Sequence, residues 1–117
     1  MPEPIFVEHR GQRILRLDFS DVPPREMRSA VDKARQVISA EPNRSLRMLT
    51  VMYGRLTPDG VARVRTAAMA NKPHLRASAM VGSRYWKGIY ADIRARGRGE
   101  LTLFDDEATA LDWLAAQ

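Results

Sequence analysis

The sequence predicts a single α/β domain over residues 1–117, built on a mixed, mostly parallel five-stranded sheet with four helices, in the order ββαβαβαβα. Short apolar segments with strand character alternate with amphipathic segments of helical periodicity, and this alternation requires parallel pairing through helical crossovers. A glycine turn separates the first two apolar segments, which predicts an antiparallel hairpin and makes the sheet mixed.

The first half of the chain supplies the hairpin, one helix and one buried strand. PIFVEH and RILRLDF are the hairpin strands, and Gly11 between them can adopt the positive φ of a tight turn. Asp21 is predicted to cap the first helix, because Pro23 and Pro24 suit a first helical turn. Apolar residues then recur at helical spacing to about Ala40. SLRMLTVM follows as a nearly all-apolar strand, which is typical of a strand covered on both faces.

The second half repeats strand and helix twice more. Thr57 and Pro58 are predicted as the N-cap and first residue of a helix that ends at NKP. HLRASAMVG is the fourth strand, and its small residues allow a helix to approach closely. A third helix is predicted over residues 83–95, LTLF is the last strand, and Asp105 is predicted to cap a final helix whose inward residues are Ala110, Leu111 and Leu114, with Trp113 beside them.

Composition limits the classes of function. Apolar residues make up 44% and charged residues 28%, and no apolar run reaches the roughly 20 residues that span a bilayer. The absence of cysteine excludes disulfides, thiol catalysis and thiolate-bound metals. We see no signal peptide at the N-terminus, so a cytoplasmic location is the expectation.

Charge is distributed unevenly along the chain. The net charge is +5, and all 19 basic residues lie within residues 1–98. The charged residues of 99–117 are all acidic. We expect the acidic last helix to pack beside the basic segment and neutralise it. The same segment also gives an alternative function, a nucleic-acid-associated protein, although charge alone is weak support for it. Its basic residues are Arg84, Lys87, Arg94, Arg96 and Arg98.

Three segments together resemble the SpoIIAA-like family of the STAS group. They are RILRLDFSDV after the EHRGQ turn, NKPHLRASAMVG at the fourth strand, and GRGELTLFDDEATALDWL at the end of the chain. The resemblance implies a mixed sheet covered by helices and a regulatory or binding module, and some relatives resemble the lipid-carrying Sec14 fold. It also implies a phosphorylated serine after an aspartate at the helix start that follows the third strand. This chain has no Asp-Ser pair there, and Thr57 is the nearest hydroxyl.

Catalytic and metal-binding patterns are weak, so we expect no enzyme, no cofactor and no metal. His9 and His74 lack partners at metal-ligand spacing, and the sequence contains no nucleophile-elbow, phosphate-loop or dinucleotide motif. Asp105, Asp106 and Glu107 sit in a first helical turn, where acids complement the helix dipole.

The candidate binding site combines two loops and one helix. Ligands of open α/β sheets collect beyond the carboxyl ends of parallel strands, near helix N-termini. Tyr85 and Trp86 are neighbours on a helix, so they are not both expected to be buried. We expect a small anionic or lipid-like ligand, or a partner protein, to bind here, and a homodimer through the third helix or the hairpin edge is the further expectation. The site residues are Tyr53, Gly54, Arg55, Thr57, Gly82, Ser83, Arg84, Tyr85, Trp86 and Tyr90.

Overall fold

The chain forms one five-stranded sheet, as predicted, and its strands lie in the order β1-β2-β3-β4-β5. A computed structural model describes residues 3–98 and 100–117. β1 is antiparallel to β2, and the remaining neighbours are parallel. The strands are β1 (Ile5–His9), β2 (Gln12–Asp18), β3 (Leu46–Met52), β4 (Leu75–Gly82) and β5 (Leu101–Phe104).

The turn between β1 and β2 has the predicted backbone geometry. Arg10 and Gly11 both have positive φ, at 49° and 78°. Two consecutive positive values match the right-handed twist of a two-residue hairpin. Gly11 therefore serves the conformational role that the sequence assigns to it.

Four α-helices cover the sheet, with three helix starts displaced from their predicted positions. They are α1 (Met27–Ser39), α2 (Pro58–Asn71), α3 (Trp86–Ala95) and α4 (Glu107–Ala115). Asp21 does not cap α1, because the tandem prolines open a separate 3₁₀ turn, Pro24–Glu26, with Pro23 as its N-cap. Asp105 does not cap α4; Asp106 does, and its carboxylate accepts the backbone N–H of Thr109 at 2.8 Å.

The helices divide into two layers. Three successive parallel crossovers in one direction along the sheet place α1, α2 and α3 on one face, and α4 packs on the other. On the α4 face, Ala77 and Ala79 of β4 lie against Ala110 and Leu114. This contact confirms the prediction that small residues in β4 allow a helix to approach closely.

The layering overturns the expected contact between the basic segment and the acidic helix, which lie on opposite faces of the sheet. The α4 acids instead meet the hairpin. Arg16 Nε donates to Glu107 Oε1 at 2.8 Å, and His9 Nε2 lies 2.7 Å from Asp112 Oδ1. Glu107 raises the pKa of Arg16, and the hydrogen bond with His9 lowers the pKa of Asp112.

Candidate functional site

The loops that follow β3 and β4 lie side by side, because the two strands are parallel neighbours and Met52 pairs with Gly82 at their ends. We call residues 53–57 and 82–85 the carboxyl edge. The adjacency of these two loops is the arrangement that the sequence predicts.

The two glycines of the carboxyl edge permit close backbone approach. A Cβ at Gly82 would lie 2.3 Å from the carbonyl oxygen of Met52, and one at Gly54 would lie 2.9 Å from that of Ser20. Neither distance is tolerable for a side-chain carbon, so both positions require glycine for spatial reasons. The space beside each glycine is occupied by protein and does not form an anion cradle.

Trp86 fills the crevice between the two loops. Its side chain is fully buried, and its indole N–H donates to the carbonyl of Gly54 at 2.8 Å. The candidate site included Trp86 as a ligand contact, but the residue has no exposed surface to offer. It instead holds the β3 loop against the start of α3.

Tyr85 takes the opposite orientation and remains 37% exposed. Its ring meets that of Trp86 edge to face at a centroid distance of 5.4 Å, and its hydroxyl donates to the carbonyl of Leu56 at 3.4 Å. The expectation that these neighbours are not both buried is therefore confirmed. α3 begins at Trp86, because residues 83–85 form a turn closed by the bond from Trp86 N–H to the carbonyl of Ser83.

Thr57 and Tyr90 have structural roles. The Thr57 hydroxyl accepts the backbone N–H of Gly60 at 3.1 Å, which confirms the predicted N-cap of α2. The hydroxyl of Tyr90 donates to the carbonyl of Leu101 at 3.2 Å and accepts from Arg94 at 2.9 Å, so Tyr90 attaches α3 to β5.

Besides Thr57, which caps α2, four side chains of the carboxyl edge are exposed. Tyr53 is 51% exposed, and Arg84 and Arg55 are exposed beside it on the two loops. The guanidinium of Arg55 lies 5.1 Å from the ring centroid of Tyr85, within the range of a cation–π contact. Within the described part of the chain, neither arginine forms an ion pair. The edge is thus positively charged and aromatic.

The basic segment contributes fewer free charges than its sequence indicates. Arg98 is 1% exposed and pairs with Glu100, so the prediction that it belongs to an exposed basic surface is wrong. Arg96 pairs with Asp92, and Arg94 donates to the carbonyl of Leu101. Asp92 and Glu100, rather than acids of α4, thus pair with two of the five basic residues of this segment.

The described residues offer neither a metal-binding cluster nor a helix that could span a membrane. Residues 3–98 and 100–117 contain no group of three or more His, Asp or Glu side chains placed to hold a metal ion. Over the same ranges, no helix is both long enough and apolar enough to cross a bilayer.

The fold has a counterpart among solved structures. The chain is similar to the crystal structure of an uncharacterized protein of the DUF3478 family with a SpoIIAA-like fold, from Shewanella loihica PV-4. The TM-score is 0.70 at 12% sequence identity, over 95% of this chain and 91% of that one. The fold is SpoIIAA-like. No protein-family model matches the sequence, and no curated protein matches it.

At 12% identity the likeness establishes the SpoIIAA-like fold and carries no activity with it. Sequence reasoning found the two loops of this SpoIIAA-like edge, because strand ends and helix starts are visible as local patterns. It missed the burial of Arg98, Ser78 and Asn71 on the three-helix side of the sheet. That burial depends on contacts between distant segments, for which these residues carry no local signal.

Proposed function

We propose that this chain is a non-catalytic, STAS-like binding module that contacts an anionic group of a partner protein through its carboxyl edge. The observation that carries the proposal is the exposed set formed by Tyr53, Arg55, Arg84 and Tyr85. The SpoIIAA-like fold supports it, because the edge lies where open α/β sheets hold their ligands.

The chemistry of the edge favours a carboxylate or phosphate group on a larger surface. Arginine offers a planar fork of donors that matches both anions, and tyrosine supplies rigid contact area with a polar tip. A small ligand is usually enclosed over most of its own surface. Since Trp86 fills the crevice between the loops, a small anion or lipid-like molecule would lie on the open side of this edge. A protein partner covers such a surface more completely.

The nucleic-acid alternative receives less support. Of the five basic residues in the segment, Arg98 is buried and Arg96 is paired with Asp92. The exposed charges that remain are separated along the turn and α3. A homodimer stays a prediction; the edge strand β1 exposes Ile5 and Phe6, and light scattering of the purified protein tests it.

A peptide-display selection against the purified chain tests the proposed function. Selection from a random library is expected to enrich peptides that carry Asp or Glu beside an aromatic residue. Isothermal titration of one enriched peptide should then show that the double variant Arg55→Glu and Arg84→Glu binds at least about tenfold more weakly, because both attractions become repulsions. Affinity for the wild type should also fall with added salt.

A matched charge reversal supplies the control. Arg44 and Lys72 are exposed residues beside the amino ends of β3 and β4, at the end of the sheet opposite the carboxyl edge. The variant Arg44→Glu and Lys72→Glu has the same net charge as the edge variant and should bind the peptide like the wild type. Equal loss in both double variants, or enrichment of peptides without acidic residues, would refute the proposal.

A further inference from the structure

A cavity of about 50 Å³ lies between the sheet and the three-helix layer. Its floor includes Met48 and Met80, and its roof includes Val64 and Ala68 of α2. The space is more than one water molecule needs and corresponds to about four to six non-hydrogen atoms. The cavity is separate from the carboxyl edge.

Four buried polar side chains, Thr50, Asn71, Ser78 and Arg98, line this largely apolar space, and within the described chain Ser78 and Arg98 each have a buried polar atom without a partner. Ser78 is fully buried on β4, and its hydroxyl has no hydrogen-bond partner among the described residues. Arg98 also lines the cavity, at 1% exposure. Its Nη1 donates to the carbonyl of Ala68 at 2.5 Å and its Nε pairs with Glu100, while within the described chain Nη2 has no partner.

Unsatisfied polar atoms of this kind indicate an occupant. Buried hydroxyl and guanidinium groups in native proteins almost always make hydrogen bonds, to protein or to an ordered molecule. Here a guanidinium N–H and a hydroxyl border the same cavity, whose remaining walls are largely methionine, valine, leucine and isoleucine. A matching molecule has an oxygen acceptor at one end and a short apolar body at the other.

We propose that this cavity binds a short-chain aliphatic carboxylate of three or four carbon atoms. Its carboxylate accepts hydrogen bonds from Arg98 Nη2 and Ser78 Oγ, and its alkyl chain contacts Met48 and Met80. A charged acceptor is favoured over a neutral one, because the hydrogen bond from a guanidinium to a carboxylate is the stronger. The size of the cavity sets the chain length.

α2 provides the route of entry. Its buried residues are Gly60 and Asn71, while the apolar side chains that it turns toward the cavity are only half-buried. Arg35 of α1 donates to Asn71 at 2.5 Å and ties the far end of α2 in place. Because few side chains of α2 are buried, we expect the ligand to enter on the α2 side of the cavity.

Butyrate is the probe, with 1-butanol as its uncharged analogue. Butyrate is expected to raise the melting temperature of the intact chain in a saturable manner, and 1-butanol is not. In the wild type, the methyl protons of ¹³C-labelled butyrate should show nuclear Overhauser effects to methionine methyl groups. No saturable butyrate shift and no such effects, or a high-resolution crystal grown with butyrate that shows only water in the cavity, would overturn the proposal.

A substitution at Ser78 tests butyrate binding without disturbing the fold. Ser78→Ala removes a hydroxyl that has no protein partner, so it is expected to fold at least as stably as the wild type and to bind butyrate about tenfold more weakly. Ser29→Ala, at an exposed position of α1, is the matched control and should bind normally. Unchanged butyrate affinity in Ser78→Ala contradicts the proposed geometry. The Arg55→Glu and Arg84→Glu variant should bind butyrate like the wild type, which separates this site from the carboxyl edge.

Discussion

The two faces of the sheet are built differently. On the α4 face, the buried cluster consists only of apolar residues, and alanines on β4 and α4 bring helix and sheet into close contact. On the three-helix face, α2 lies over a cavity, and the buried residues include Thr50, Ser78, Asn71 and Arg98. Close apolar contact favours stability, whereas a cavity with polar atoms provides room for a ligand. The α4 face is therefore closely packed, whereas the part of the three-helix face beneath α2 leaves room for a ligand.

The largest expected effect comes from truncating one apolar side chain in each layer. Because α2 contains no leucine, Leu114 of α4 is compared with Val64 of α2. Leu114 is fully buried in the α4 cluster, and Leu114→Ala should lower the free energy of unfolding by about 2–5 kcal/mol. Val64 is only half-buried above an existing cavity, and Val64→Ala should cost about 1 kcal/mol. Urea denaturation measures both. Equal losses would mean that the faces do not differ in their contribution to stability.

Alanine substitutions at Gly82 and Gly88 show whether the three-helix face is loose throughout or only beneath α2. A Cβ at Gly82 would collide with the carbonyl oxygen of Met52, so Gly82→Ala should destabilise the protein by about 1–3 kcal/mol. Gly88 is an exposed glycine within α3, and a Cβ there meets nothing within 4 Å. Gly88→Ala should therefore stabilise the protein by about 0.5–1 kcal/mol. Calorimetric melting of both variants distinguishes a rigid edge from a loose one; a harmless Gly82→Ala would show that the edge yields as α2 does.

The smallest expected effect concerns the ion pairs that join α4 to the hairpin. The hydrogen bond with His9 lowers the pKa of Asp112 below its ordinary value of 3.8. The folded state therefore gains stability above that value and loses it as the pH falls through the lowered pKa. Asp112→Asn should show a slightly shallower loss of stability between neutral pH and the acid range than the wild type, as measured by urea denaturation at successive pH values. Identical pH profiles would indicate that this contact contributes nothing.

The sequence predicted most of the fold because the evidence for it is local. Apolar periodicity and the Thr57–Pro58 pair identify the elements and one cap without reference to distant residues. The cap of α4 is whichever of Asp105 and Asp106 points its carboxylate back at the helix. Two adjacent aspartates look equivalent in the sequence, so the sequence does not show which one is the cap. The side of the sheet that α4 covers depends on three crossovers together.

The candidate site was less predictable, because contacts between distant segments decide which of its side chains are buried. Helical geometry indicated that Tyr85 and Trp86 face different directions, and the contact between Trp86 and the carbonyl of Gly54 decides which one is buried. Arg98 lies in a glycine-rich segment that resembles an exposed helix end. Its burial results from the carbonyl of Ala68, thirty positions earlier in the chain, which no short pattern encodes.

Trp86 and Trp113 are the two tryptophans of the sequence, and they stand in different helix layers. Trp86 is sealed beside the carboxyl edge, whereas Trp113 is half-buried against Phe104 at a ring distance of 5.4 Å. Replacing either indole with phenylalanine leaves a protein whose tryptophan fluorescence comes from a single layer. The molecule thus carries two native optical probes, and the melting or loading of each side of the sheet can be observed separately without attaching a dye.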